Sequence, residues 1–334
     1  MQTLSLGDLS QSLILNRHSL RLKTALQALS TESTTGMAAN QTARLRGNFA
    51  QIAGIETSLT LLAAYRNVTA ETQIMADIMQ KSIKTVQDQS VLGTAFLTIE
   101  AGEVPIKINT LGLQAAHGLD TAMMALNASL GERALFSGQK SDHTALASSD
   151  TLLSSLDAAV IAAGAMSAAT VEAAVTAWFD NPAGFAAVIY RGGPPLDPVQ
   201  VSADQTAQLD VTATDPAILA TLKGLALGAL LSRGVLAGSD VSRADLAKRA
   251  GQQLMVAQVP MASLAAKLGM VQAAVQDAGT RNDAEGSLLQ RARLSLLSVD
   301  PYETASKYQE TQNQLQTLYA ITARASRLSL VDFL

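Results

Sequence analysis

Apolar positions recur at spacings of three, four and seven over most of this chain, the signature of amphipathic helices. Residues 1 to about 30 carry one such stripe through Leu9, Leu13 and Leu20 and a second through Leu15, Leu22, Leu26 and Leu29. Two stripes on one helix call for more than one neighbour. The Ser/Thr/Gly stretch STESTTGM (30–37) is expected to break this helix, and a second helical tract is expected from about 40 to 92. Within it Ile74, Met75, Ile78, Met79 and Val86 keep helical intervals. Residues 93–108 mix Gly, Pro and β-branched residues, an expected interruption. A long helix is then predicted from about 109 to 134.

The middle of the chain reads differently. Residues 151–179 are Ala-rich helix. The stretch 186–213 holds the chain's β character, with IYRGG, PVQVS and AQLDVTA as short runs between Gly, Pro and Asp turns. Asp215–Pro216 is a helix start for the apolar run to 231, and another helix is predicted from about 241 to 291, with Pro260 as a site for a kink. SVDPYETASKY (298–308) places Asp or Ser at an N-cap, Pro just inside and Glu in the first turn of a last helix. Helical, mixed, helical is the order. The expected fold is mainly α: a long antiparallel helical bundle of the N- and C-terminal limbs, with a small inserted α+β domain. The expected division is 1–42 with 293–334 as a terminal helical assembly domain, 43–142 with 241–292 as a helical rod, and 143–240 as the inserted outer domain.

Composition narrows the function classes. Hydrophobic residues make up 48% of the 334 residues but aromatics only 4%, which suits helix–helix seams of Ala, Leu, Val, Ile and Met. A net charge of −4 with no basic run argues against nucleic acid as a partner. Cysteine is absent, so disulfides and thiolate metal sites are excluded. The N-terminal residues show no basic segment leading into an apolar stretch with a cleavage site. The apolar runs 158–171 and 217–231 are shorter than the ~20 residues a spanning helix needs, so no membrane is expected as a partner.

Candidate chemistry is thin. His18, His117 and His143 have no second ligand at metal spacing, and His143 beside Asp142 reads as a solvated turn. Ser137–Gly138 lacks the preceding glycine of a nucleophile elbow and reads as a structural turn. Glu100, Glu103 and Lys107 read as surface charges, and NVT (67–69) and NAS (127–129) fall in helical tracts. Met75, Met79, Met123, Met124, Met255, Met261 and Met270 read as fillers in bundle cores, and GLALG (224–228) as a close helix approach. No catalytic residue, cofactor site or metal site is expected, and the protein is not expected to be an enzyme. The alternative is a ligand-binding or enzymatic domain in the inserted segment, framed by the RGGPPLDP loop.

The two ends of the chain pose the sharper question. A two-helix hairpin buries one stripe on each helix and leaves the other wet, and contiguous exposed apolar surface marks an interaction site. The expected assembly interface is Leu9, Leu13, Leu20, Leu22 and Leu26 on the first helix with Leu315, Leu318, Tyr319, Ile321, Leu328, Leu330, Phe333 and Leu334 on the last. Association through it would be heterologous, forming rings or helices.

The closing stretch DPYETASKYQETQNQLQTLYAITARASRLSLVDFL is similar to the last helix of the flagellin superfamily, including the SL-V-D-F-L ending. ERALFSGQKSD (132–142) resembles that family's turn after the first helical limb, and IYRGG…VQVS…LDVTA its inserted β unit. Within the superfamily the chain looks most like the hook-associated branch at the hook–filament junction. Its segment 29–44, LSTESTTGMAANQTAR, lacks the paired aspartates of filament flagellins. The resemblance implies an extracellular, non-enzymatic structural subunit of the bacterial flagellum, exported by the flagellar type III route without a cleaved signal. The implied partners are copies of itself, a neighbouring hook-associated protein, filament flagellin and an export chaperone, with filament flagellin as the alternative identity.

Overall fold

The computed structural model describes residues 6–100 and 105–331. It is mainly α, a bundle of long helices with a small strand-containing region, and it divides into two compact units: 1–63 with 283–334, and 64–282.

In the first unit α1 (Leu6–Thr35) lies antiparallel to α11 (Pro301–Val331), with Lys23 over the ring of Tyr319. STESTTGM ends α1 as expected, but only at its seventh residue: STESTT stays helical, the hydroxyls of Thr31, Thr34 and Thr35 donating to the carbonyls of Gln27, Ser30 and Thr31 within the helix. The break comes at Gly36, whose φ of +69° suits a residue without Cβ. Residues 36–38 then run against 297–299: Ala38 N–H donates to Leu297 O at 2.9 Å and Val299 N–H to Gly36 O at 3.0 Å. A short α2 (Gln41–Arg44) leads to α3 (Ala50–Gln89), where Glu56 pairs with Arg293 at 3.3 Å. The start of α11 follows the sequence: Asp300 Oδ1 accepts from the backbone N–H of Tyr302 at 2.8 Å and of Glu303 at 3.3 Å, with Pro301 as first helical residue.

The second unit has one extensive core. After α3 come α4 (Leu92–Leu97) and α5 (Pro105–Leu126). The predicted helix to 134 stops at Leu126, because the Asn127 amide turns outward from the helix to donate to Leu146 O (3.1 Å) and accept from Leu146 N–H (2.8 Å). A two-residue hairpin follows, β1 (Ser129–Leu130) against β2 (Arg133–Ala134), turning at Gly131. The Ala-rich tract is two helices, α6 (Ser149–Ala162) and α7 (Ala168–Asp180), separated at Gly164 with φ +58° and restarted by a Ser167–Thr170 capping box. A single-turn α8 (Phe185–Val188) comes next.

The β character of 186–213 shrinks to β3 (Val199–Gln200) paired antiparallel with β4 (Thr206–Ala207). LDVTA is not a strand. Its apolar residues Leu209, Val211 and Ala213 are buried individually, and Ala213 N–H donates to Phe136 O. Burial of β-branched side chains on a helical layer satisfies the same pattern without a ladder.

α9 (Pro216–Leu230) is capped as expected, Asp215 Oδ1 accepting from Ala217 N–H at 3.0 Å. Leu222, Leu225, Ala226, Leu227 and Leu230 are all 0% exposed, so apart from the side that carries Lys223 the helix is hydrophobic and covered. Its GLALG glycines make room for neighbours. A Cβ on Gly224 would stand 2.8 Å from Leu254 Cγ, and one on Gly228 would stand 2.6 Å from Phe96 Cζ. α10 (Asp240–Leu297) is continuous through Pro260 and buries Leu246, Ala250, Leu254, Ala257, Met261, Leu264 and Leu268 at helical intervals. A small second core joins Val201 and Ala207 to Val275 and Ala278.

The methionines divide. Met75, Met79, Met123 and Met261 are core fillers; Met124 (59%) and Met270 (67%) are exposed, as is Met255, and Ile74 faces outward too. Periodicity locates a stripe but does not say whether a second helix covers it.

Candidate assembly surface

The predicted interface residues fall into two rows on the α1–α11 hairpin. Leu22, Leu26, Leu315 and Leu318 are half-buried along the seam between the helices. Leu13 (65% exposed), Leu20 (65%), Tyr319 (47%) and Ile321 (53%) stand in solvent, joined by Ile14, which the sequence stripes did not single out. Leu9, Leu328 and Leu330 belong to the two helices but their side chains lie outside the described set, as do Phe333 and Leu334 altogether.

Antiparallel pairing accounts for this division. Two helices meeting along one line bury one stripe each, and spacings of three, four and seven put the remaining apolar residues about a quarter-turn or more away. A groove of about 680 Å³ runs along the hairpin, lined by His18, Leu22, Thr317, Leu318 and Ile321 among others. Tyr319 lies on the same helix as Leu318 and Ile321. The ammonium of Lys23 and the Ser19 hydroxyl hold its phenol below the ordinary range, Lys23 being the stronger influence. Ser30, Thr34, Ala305, Tyr308 and Gln312 line a smaller hollow further along the hairpin, so the register is fixed over most of its length.

The alternative site, around RGGPPLDP, is closed by backbone. Gly193 N–H donates to Ser137 O at 2.8 Å, Gln139 N–H to Pro194 O at 2.9 Å and Tyr190 Oη–H to Gly193 O at 2.7 Å. Gly138 has φ +61°, and a Cβ there would collide with Pro194 O and stand 2.8 Å from Gly193 O. Ser137 is buried and donates to Ala134 O. The FSG turn and the Gly-Gly-Pro-Pro loop are therefore a clasp, joined by two backbone hydrogen bonds.

A third apolar feature is a groove of about 630 Å³ between α4 and α5, flanked by exposed Val91 and Leu113. Among the described residues no group of three or more His, Asp or Glu is placed to hold a metal. One described helix, α10, contains a stretch long and apolar enough to cross a membrane by length and composition; its buried residues face the core of the second unit.

Residues 254–334 match the family model for the bacterial flagellin C-terminal helical region. No curated protein matches the chain. Among solved structures, one provisionally assigned as a flagellar hook-associated protein from Vibrio parahaemolyticus aligns at 14% identity over 75% of this chain and 96% of its own, with a TM-score of 0.32. The matched family region takes in the whole of α11 with the exposed Tyr319 and Ile321. Over that region, about a quarter of its length, the chain is similar to the C-terminal helical region of bacterial flagellins.

Proposed function

We propose that this protein is the junction subunit between hook and filament, a hook-associated protein assembling through its paired terminal helices. One observation carries the reading: the hairpin that α1 forms with α11, the helix inside the flagellin-like region, leaves a row of large apolar side chains uncovered, from Leu13 to Leu20 on α1 and from Tyr319 to Ile321 on α11. Exposed apolar rows gain by being covered, at ~25 cal/mol per Å², and copies of the chain offer that cover. The thirteen residues from Leu9 to Leu334 named above are the proposed interface. The absence of paired aspartates in 29–44 favours the junction over filament flagellin. Rod and outer domains divide in this reading at about 142 and 241. The neighbours are a second hook-associated protein and filament flagellin, with an export chaperone during passage through the type III apparatus.

Deletion of the gene and electron microscopy of the cells test it. The expected result is hooks without filaments and filament protein shed into the medium; normal filaments overturn the proposal. Stoichiometry of isolated flagella decides against the rival, since a junction subunit is a minor band and a filament subunit the dominant one.

A further inference from the structure

Charge is sorted along the terminal hairpin. Between Leu9 and Thr31, and again between Thr311 and Val331, the sequence holds no Asp or Glu. Arg17, Arg21, Lys23 and Arg324 all stand exposed in that zone. At the base of the same hairpin the sign reverses: Glu32, Asp300, Glu303 and Glu310 accompany a single cation, Lys307, whose Nζ lies 2.6 Å from Glu303. Beyond the base, Arg44 and Arg46 make the linker positive again, so the acidic zone is a band. Apolar residues accompany both zones: Leu13, Leu20 and Ile321 in the basic one, and Tyr302, 84% exposed, in the acidic one.

A single chain does not bring the two zones together. Its own pairing sets Lys23 beside Tyr319 and Ser30 and Thr34 beside Ala305 and Tyr308, which keeps basic zone and acidic band about thirteen residues, or ~20 Å, apart along the axis. The Glu303–Lys307 pair is exposed on both sides and holds the band only weakly. We propose that a second copy of this chain docks on the hairpin displaced by ~20 Å along its axis, so that the basic zone of one copy covers the acidic band of the next. This rests on the assembly reading above and specifies its register. Apolar rows alone permit sliding, because one leucine covers another equally well at several offsets; alternating zones of opposite charge select one offset and penalise like-charge overlap. The contact joins two different patches, so it repeats from copy to copy.

The cysteine-free sequence makes the register readable by crosslinking. Leu20→Cys marks the basic zone and Tyr302→Cys the acidic band. In one chain these positions are ~30 Å apart, far beyond the ~7 Å limit of a disulfide. Purified full-length Leu20→Cys chain is mixed with size-tagged Tyr302→Cys chain and oxidised at low salt. The expected result is mixed-size dimers in excess of either homodimer, falling at least about fivefold in 1 M salt, where the screening length is ~3 Å. Arg17→Glu, Arg21→Glu and Lys23→Glu on the first chain are expected to abolish the mixed dimer, and Glu32→Lys, Glu303→Lys and Glu310→Lys on the second to restore it. Mixed dimers no more abundant than homodimers, unchanged by salt, or not restored by the paired reversal overturn the proposal. Filament loss on gene deletion with no mixed dimer removes the register and keeps the junction role; mixed dimers with normal filaments remove the junction role alone.

Discussion

α9, an almost wholly apolar helix, and α11, which carries its apolar residues as stripes among polar ones, place their leucines in opposite conditions. In α9 the leucines and alanines from Leu222 to Leu230 are wholly covered, and two glycines bring Leu254 and Phe96 close to its backbone. In α11 the leucines at 315 and 318 are half-covered by α1, while Tyr319 and Ile321 stay wet. α9 meets helices on every side; α11 meets one. Coverage decides whether an apolar residue serves the stability of the monomer or its association.

That contrast is best broken by substitutions on each side of it. Phe96→Ala in the core is expected to cost about 3–5 kcal/mol, read from denaturant unfolding, because it empties a fully buried ring site against Gly228. A loss under about 1 kcal/mol would mean the core is slack there.

Next in size, Gly138→Ala is expected to cost about 1–3 kcal/mol, through its left-handed φ and the collision with Pro194 O. Unchanged thermal stability would contradict the clasp. Asn127→Ala removes both bonds to Leu146 and is expected to cost about 1–3 kcal/mol in the same assay.

The clasp also has a pH signature. Burial pushes the Tyr190 phenol above its ordinary value near 10, against a smaller opposing pull from the Thr212 hydroxyl. A raised folded pKa means the stabilisation is fully present below the unfolded pKa and is lost as pH rises through the folded one. Unfolding scans above pH 10 should therefore show a loss of stability that Tyr190→Phe lacks.

Smallest on the monomer is Leu20→Ala on the hairpin, expected within about 0.5 kcal/mol of wild type, since two-thirds exposure leaves little packing to lose. The same variant is expected to weaken copy-to-copy association severalfold, read by sedimentation. Equal effects on both readouts would mean that Leu20 is a core residue in solution.

Much of the fold was legible because it rests on local chemistry. The Asp215–Pro216 and Asp300–Pro301 caps, the helical limbs and the close approach at GLALG all follow from residue type and spacing. The errors share one cause. STESTT stayed helical up to Gly36 with its hydroxyls bonded inside the helix, the helix before Asn127 ended on a bond to Leu146 nineteen residues away, and LDVTA was buried without a strand partner. Each turned on a partner that the local pattern does not name.

The candidate interface shows the same limit. Its two stripes were visible as periodicity, but their division into a seam and an exposed row required the position of one helix against another. Sequence alone set which residues seek cover, where the helices start, and how charge is distributed along the ends, since these depend on side-chain chemistry and the 3.6-residue period. Tertiary structure alone decided which apolar residues find cover within the chain and which are left for another copy, because burial is a property of neighbours in space and a helix does not encode how many it will meet.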